Sequence, residues 1–241
     1  LSIYLFYRGL KNGKNMITAI IKVRLNLIRL KRKAFLKVCD KTLLDHLMLQ
    51  MAFSEQTDEK IIATTNEDID DNIKDISNSL NTICFRGSSS NVLDRYYVCS
   101  KKFSCENIIR VTSDTPIINI FMIKDMINFY KKKKLSFLSN NKPRFIPHGF
   151  DCEIFHHSIL NKAKLHAKTK YEKEHVTPWM YKNCFTKKNT IKIIKKNYSD
   201  IRITIDTPKD YLFFKKNKKI LKKIATTKNY ESYLGQLKNE Y

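Results

Sequence analysis

Short β-branched runs alternate with helix-period segments through the first half of the chain, and this alternation restricts the fold more than any other feature. Residues 17–23 (ITAIIKV), 60–65 (KIIATT), 82–85 (TICF) and 107–112 (NIIRVT) have the length and the Ile, Val and Thr content of buried strands. Residues 43–53, 68–80, 92–102 and 119–132 carry apolar side chains at helical spacing. Strands without a polar face belong in a parallel sheet covered by helices on both sides. The order predicts right-handed βαβ crossovers and an α/β, three-layer domain with a mostly parallel, mixed sheet.

The second half is less regular. Residues 135–139 and 150–155 read as strands flanking a loop that contains Pro143, Pro147 and Gly149. Residues 158–167 and 172–182 read as helices, the second kinked at Pro178. Residues 191–194 and 201–205 read as strands, and Pro208 opens a lysine-rich final helix, a position that suits proline's fixed φ. Residues 1–15 read as an N-terminal extension; residues 16–241 read as one domain with an inserted arm around 135–156. In the extension an apolar run precedes the basic residues, the reverse of a secretory signal. No apolar run approaches the ~20 residues of a membrane span.

Charge bears on the partner. There are 46 Lys and Arg against 23 Asp and Glu, a net charge of +23, which invites a nucleic-acid reading. Yet only 9 of the cations are Arg, the better reader of base edges. Residues 131–241 hold 27 basic and 9 acidic residues, with the lysines scattered along helical segments and no series of aromatic platforms. A solvated lysine-rich surface explains this better than a polynucleotide track. The six cysteines, at 39, 84, 99, 105, 152 and 184, form no CxxC and no metal-finger spacing. They read as reduced thiols of a cytoplasmic protein.

Open α/β sheets bind ligands beyond the carboxyl ends of their strands. Arg24, Arg29 and Lys33 follow the first strand, Arg86-Gly87-Ser88 the third, Ser113-Asp114-Thr115-Pro116 the fourth, and Asp206-Thr207-Pro208 the last. Cations after one strand and carboxylates after two others are the parts of a site for a polyphosphate and a hard divalent cation. Each part also has a plainer reading. Asp-Thr-Pro is a good helix N-cap, residues 24–33 could form a basic amphipathic helix, and His175 could be structural. The residues alone lead to a phosphate-handling α/β domain.

Six stretches, taken together and in order, resemble the cytidylyltransferases of the spore coat polysaccharide biosynthesis protein F type. These are relatives of the 3-deoxy-manno-octulosonate and acylneuraminate cytidylyltransferases. The stretches are IIATT (61–65), CFRGS (84–88) running into VLDRYY (92–97), IRVTSDTP (109–116), PHGFDCEIF (147–155), YEKEHVTP (171–178) and IRITIDTPKD (201–210). The resemblance covers roughly residues 16–225. It implies a nucleotide-diphosphosugar-transferase-like fold and transfer of CMP from CTP to a sugar, in particular a sugar acid. Pyrophosphate leaves, and the product serves surface polysaccharide or glycoconjugate synthesis.

By position in the resembling motifs, Asp114 and Asp206 would bind Mg2+, and Arg24, Arg29 and Lys33 would lie along the triphosphate. Arg24, Lys33 and the two aspartates would be the catalytic set. Ala63, Thr64 and Arg86 would line the nucleotide pocket, with Asp94, Arg95, Glu174 and His175 on the sugar side. The arm would shape the acceptor pocket or a homodimer contact. The chain departs from the pattern after its first strand, where Asn26, Leu27 and Ile28 stand in place of a Gly-Ser-Thr turn. Ser113 replaces a glycine, a Gly-Gly pair near Cys39-Asp40 is absent, and Lys173 replaces an arginine. Glycine permits close backbone approach to phosphate. Two readings therefore stay open: an active enzyme, or a catalytically impaired homologue that binds nucleotide, sugar or a protein partner.

Overall fold

Along the first strand, Ile17, Ala19, Ile21 and Val23 enter one apolar cluster while Ile20 enters another, so both faces are dry. That is the burial expected of a central strand between two helix layers. The computed structural model describes residues 16–25, 35–38, 41–53, 57–112 and 117–240. The first strand, β1 (Ile17–Lys22), lies between β4 (Glu59–Thr65) and β6 (Asn107–Thr112), parallel to both. β5 (Ile83–Gly87) extends the parallel part beyond β4. On the other side β8 (Glu153–His156) pairs antiparallel with β6, and β7 (Phe137–Ser139) antiparallel with β8. The sheet order is β5-β4-β1-β6-β8-β7, with a separate two-stranded ribbon of β2 (Lys37–Val38) and β3 (Lys41–Thr42).

One face of the sheet packs on α1 (Leu43–Phe53), α2 (Asn72–Ser79) and α4 (Ile120–Lys132), together with α8 (Pro208–Lys216), α9 (Lys218–Thr226) and α10 (Tyr230–Asn239). The other packs on α3 (Val92–Lys102), α5 (His157–His166), α6 (Lys170–His175) and α7 (Pro178–Asn183). This is the expected three-layer α/β architecture with a mostly parallel, mixed sheet.

Several local expectations are corrected. Residues 68–80 are not one helix: a short 3-10 turn, Asp68–Asp70, precedes α2. The kinked helix expected over 172–182 is two helices, α6 and α7, separated at Val176. The final helix is three, α8 to α10. Residues 191–194 and 201–205 are not strands: one single bridge, Ser139 to Thr190, lies just before the first run, and another, His148 to Arg202, lies within the second. Ile201, Ile203 and Ile205 are buried and alternate with half-buried residues, so the period-two pattern is real. It records burial of one face, which does not require a ladder partner.

Candidate functional site

The carboxyl edge of the sheet has two halves. In the first, the loops after β1, β4 and β5 converge. Arg24, half-buried, follows β1, and the amide of the next residue, Leu25, donates to Asp70 Oδ1 at 2.7 Å. Asp70 is 1% exposed, and its other oxygen accepts the backbone amide of Thr65 at 3.3 Å and the Thr65 hydroxyl. One carboxylate therefore ties the start of the β1 loop to the end of β4. Arg86 donates through Nε to Thr65 O at 3.0 Å and through Nη2 to Glu67 O at 2.9 Å, and pairs with Asp71. Arg95, fully buried, donates to Ser88 O at 2.8 Å and Ser89 O at 3.4 Å, while its Nη1 has no partner. Burial, opposed by Tyr96 and Asp70, lowers the Arg95 pKa, and the charge of Arg24 adds to the lowering. Gly87 is required here: a Cβ would lie 2.8 Å from the Phe85 ring and 3.0 Å from Arg95 Cγ. Ala63 and Thr64 are fully buried in β4, and Thr64 Oγ1 has no partner.

The second half is a cavity of about 420 Å³ over the β1, β6 and β8 ends, closed by the α6–α7 turn and the 140–151 loop. Lys22 and Arg110 line it with Glu153, and Arg110 and Glu153 are cross-strand partners. Arg110 Nη1 donates to Glu153 Oε2 at 2.8 Å, with side chains only 12% and 4% exposed. Such burial of charge is tolerable only as a pair. From the loop, Arg144 grips Asp151 through both terminal nitrogens, and Asn141 Nδ2 and the Gly149 amide also donate to Asp151 at 2.8 and 3.2 Å. Burial alone would raise the Asp151 pKa, but these donors outweigh it and hold the carboxylate ionised. Gly149 has φ 109°, a left-handed conformation in which a Cβ would meet Ile203 and Thr204 at 3.1–3.2 Å.

His175 lines this cavity from the end of α6. Burial, with smaller contributions from Lys22 and Arg110, lowers its pKa against the opposing Glu174, so the imidazole is neutral at pH 7. The next residue, Val176, stands at φ 70°, ψ −56°, and the Thr177 amide donates to His175 O at 2.8 Å, closing a three-residue turn. This turn is strained for a β-branched residue and persists because the Val176 side chain is fully buried.

The remaining expected residues are placed as follows. Asp94 pairs with Lys164, joining α3 to α5, and does not line the cavity. Arg95 lies with the nucleotide-side loops, and Glu174 acts on the cavity only as the charge beside His175. Asp206 pairs with Arg202. The α8 cap is built by Thr207 and Asp210, which leaves the Asp206 carboxylate outside the cap. Arg29, Lys33 and Asp114 lie outside the described residues. Among the described residues no three His, Cys, Asp or Glu side chains cluster to hold a metal.

Sequence reasoning missed Asp70, Lys22 and Arg144, and quoted Asp151, Arg110 and Glu153 only inside longer motifs. A signal for the last two was present. A charged residue inside an otherwise apolar strand has to find a partner.

The family model for cytidylyltransferases matches residues 18–238, nearly the whole described domain. The chain belongs to the cytidylyltransferase family. An uncharacterized protein of Methanocaldococcus jannaschii is 36% identical over 204 residues, 82% of this chain and 81% of that protein. The spore coat polysaccharide biosynthesis protein SpsF of Bacillus subtilis is 28% identical over 210 residues, 82% of this chain and 84% of that protein. Among solved structures, a cytidylyltransferase from Leptospira borgpetersenii superposes with a TM-score of 0.76 at 30% identity, covering 83% of this chain and 84% of that one. This cytidylyltransferase is thus a nucleotidyltransferase enzyme in which CMP moves from CTP to a sugar-like acceptor. Among its described residues no helix is long and apolar enough to cross a membrane.

Proposed function

We propose that the acceptor is a sugar acid, that it occupies the cavity lined by Lys22, Arg110, Arg144 and His175, and that the CMP-sugar feeds surface polysaccharide or glycoconjugate synthesis. The observation that carries this reading is the cavity itself: Lys22, Arg110 and Arg144, the two arginines steadied by Glu153 and Asp151, line a space of sugar size at the carboxyl edge and beside the β1 loop. The relation to SpsF supports the polysaccharide context.

In this reading an acceptor hydroxyl oxygen bonds the α-phosphorus of CTP and loses its proton. The bond to the bridging oxygen breaks, and pyrophosphate leaves. The protein's part is to align the reactants and to neutralise charge on the phosphates. By the family resemblance Arg24, Arg29 and Lys33 would lie along the triphosphate and Arg86 would face the nucleoside, with Ala63 and Thr64, fully buried in β4, supporting that pocket from below. By the same resemblance Asp206, whose carboxylate pairs with Arg202 and lies outside the helix cap, would supply hard oxygens to Mg2+ together with Asp114. When bound, the ion would offset phosphate charge in the reaction.

Pyrophosphate release, measured with CTP, Mg2+ and a panel of sugar acids, neutral sugars and sugar phosphates, tests the proposal. Turnover confined to neutral sugars would overturn the acceptor class. Asp206→Asn and Asp114→Asn should each lower kcat by about 100-fold or more. Retention of wild-type activity in either variant removes that residue from the metal site.

A further inference from the structure

Behind the cavity, out of reach of a bound acceptor, one phenol joins the two arginine–carboxylate pairs. Tyr181, on α7, does not line the cavity. Its ring is fixed edge-on to Phe137 at 5.2 Å and tilted against Phe185 at 5.5 Å, with the Lys142 ammonium 4.4 Å from its centroid. The hydroxyl lies 3.3 Å from Glu153 Oε1, 2.8 Å from Asn141 Oδ1 and 2.6 Å from Ser139 Oγ. Glu153 carries Arg110, and Asn141 Nδ2 donates to Asp151, which carries Arg144. The second hydroxyl on Glu153 Oε1 is that of Thr177, also at 3.3 Å, delivered by the strained turn at Val176.

We infer that Tyr181 is a positioning residue for the acceptor, acting through Glu153 on Arg110 and through Asn141 and Asp151 on Arg144. The inference rests on the reading of this cavity as the acceptor site. A guanidinium paired with a carboxylate is held in one orientation only if the carboxylate is itself held, because a carboxylate pivots about its single bond. Oε2 of Glu153 faces Arg110, and Oε1 is fixed from behind by the two hydroxyls. The phenol has one proton to donate. When it serves Glu153, the Ser139 hydroxyl can donate to Asn141 in its place; when it serves Asn141, Glu153 Oε1 keeps the Thr177 hydroxyl. Both cationic walls of the cavity thus depend on a single side chain that touches no substrate.

The test is Tyr181→Phe in the full chain, which keeps the ring contacts and removes only the hydroxyl. With the acceptor that the wild type turns over, KM for the acceptor should rise about 10-fold while KM for CTP stays within about twofold. Glu153→Gln should raise the acceptor KM as well, and adding Tyr181→Phe to it should give a rise smaller than the product of the two separate effects, because only the route through Asn141 and Asp151 then remains to be lost. A parallel rise in KM for CTP, or effects of the two substitutions that multiply, overturns the inference. Should Tyr181→Phe fail to fold, Ser139→Ala removes the hydroxyl that shares the Tyr181–Asn141 contact, lies outside the cavity lining and carries the same acceptor-only expectation. A wild type inactive with every acceptor would refute the functional reading, and the positioning role is then decided by 15N NMR of arginine Nε–H groups. Tyr181→Phe should shift or broaden the Arg110 signal and leave that of Arg95 in place. An unmoved Arg110 signal refutes it.

Discussion

The proposed nucleotide half and the proposed acceptor half of the carboxyl edge both rely on arginine, but they anchor it differently. On the nucleotide side, Arg86 and Arg95 donate to the carbonyls of Thr65, Glu67, Ser88 and Ser89, and Asp70 accepts the amides of Leu25 and Thr65. Side chains there hold backbone, and so fix the course of loops. On the acceptor side, Arg110 meets Glu153 and Arg144 meets Asp151. Side chains there hold side chains, and so fix the direction of donors inside a cavity. The difference fits the division of labour proposed above for the two halves. A loop that wraps a triphosphate needs its backbone in place, whereas a pocket that selects among sugars needs oriented polar groups.

The contrast can be broken by substitution. The largest effect is expected at Asp70: Asp70→Ala removes a buried acceptor of two amides and a hydroxyl and should cost about 3 kcal/mol in chemical denaturation. A loss below about 1 kcal/mol would show that the loops are not held this way. Next, Arg144→Ala should raise the acceptor KM by about 10- to 100-fold, leaving KM for CTP unchanged, because it leaves the Asp151 carboxylate without its cation. If both KM values rose together, the two halves would not be separate.

A third measurement uses the far end of β4, where burial pushes Glu59 up to about 7. A raised carboxyl pKa means stability that is complete below the unfolded value near 4.5 and lost as pH climbs through about 7. Urea midpoints should therefore favour Glu59→Gln over the wild type increasingly between pH 5 and pH 8, by on the order of 2 kcal/mol at the upper end. A pH-independent difference contradicts this. The smallest effect belongs to Asp94→Ala, which should change stability by about 0.5 kcal/mol and neither KM, since its pair with Lys164 is about one-third exposed on both sides. A raised acceptor KM would return Asp94 to the sugar side.

Much of the sheet was legible in the chain. The strands β1, β4, β5 and β6 and the helices α1, α3 and α4 stand within about two residues of their sequence-based positions, because the strands are apolar runs between two helix layers and the helices each lay an apolar face on the sheet. The second half was harder to read. The apolar run 191–194 and the alternating residues 201–205 bury side chains without joining the sheet, and local pattern cannot tell burial from pairing. The Asp206-Thr207-Pro208 motif had two readings, helix cap or metal ligand; Thr207 and Asp210 make a cap, and the Asp206 carboxylate pairs with Arg202. Tyr181 gave no sequence signal at all, since a tyrosine on a short helix is ordinarily a packing residue.

Hydrophobic periodicity and the punctuation between segments determined the layers, the parallel core and the edge at which a ligand binds, because these depend on neighbours along the chain. Which charges share a cavity was decided only by the tertiary structure. Arg110 and Glu153 are 43 residues apart in sequence, and Thr177 and Tyr181 reach the same carboxylate from a different layer. Strand register and helix packing bring such groups within hydrogen-bonding distance, and no spacing within the linear chain encodes that meeting.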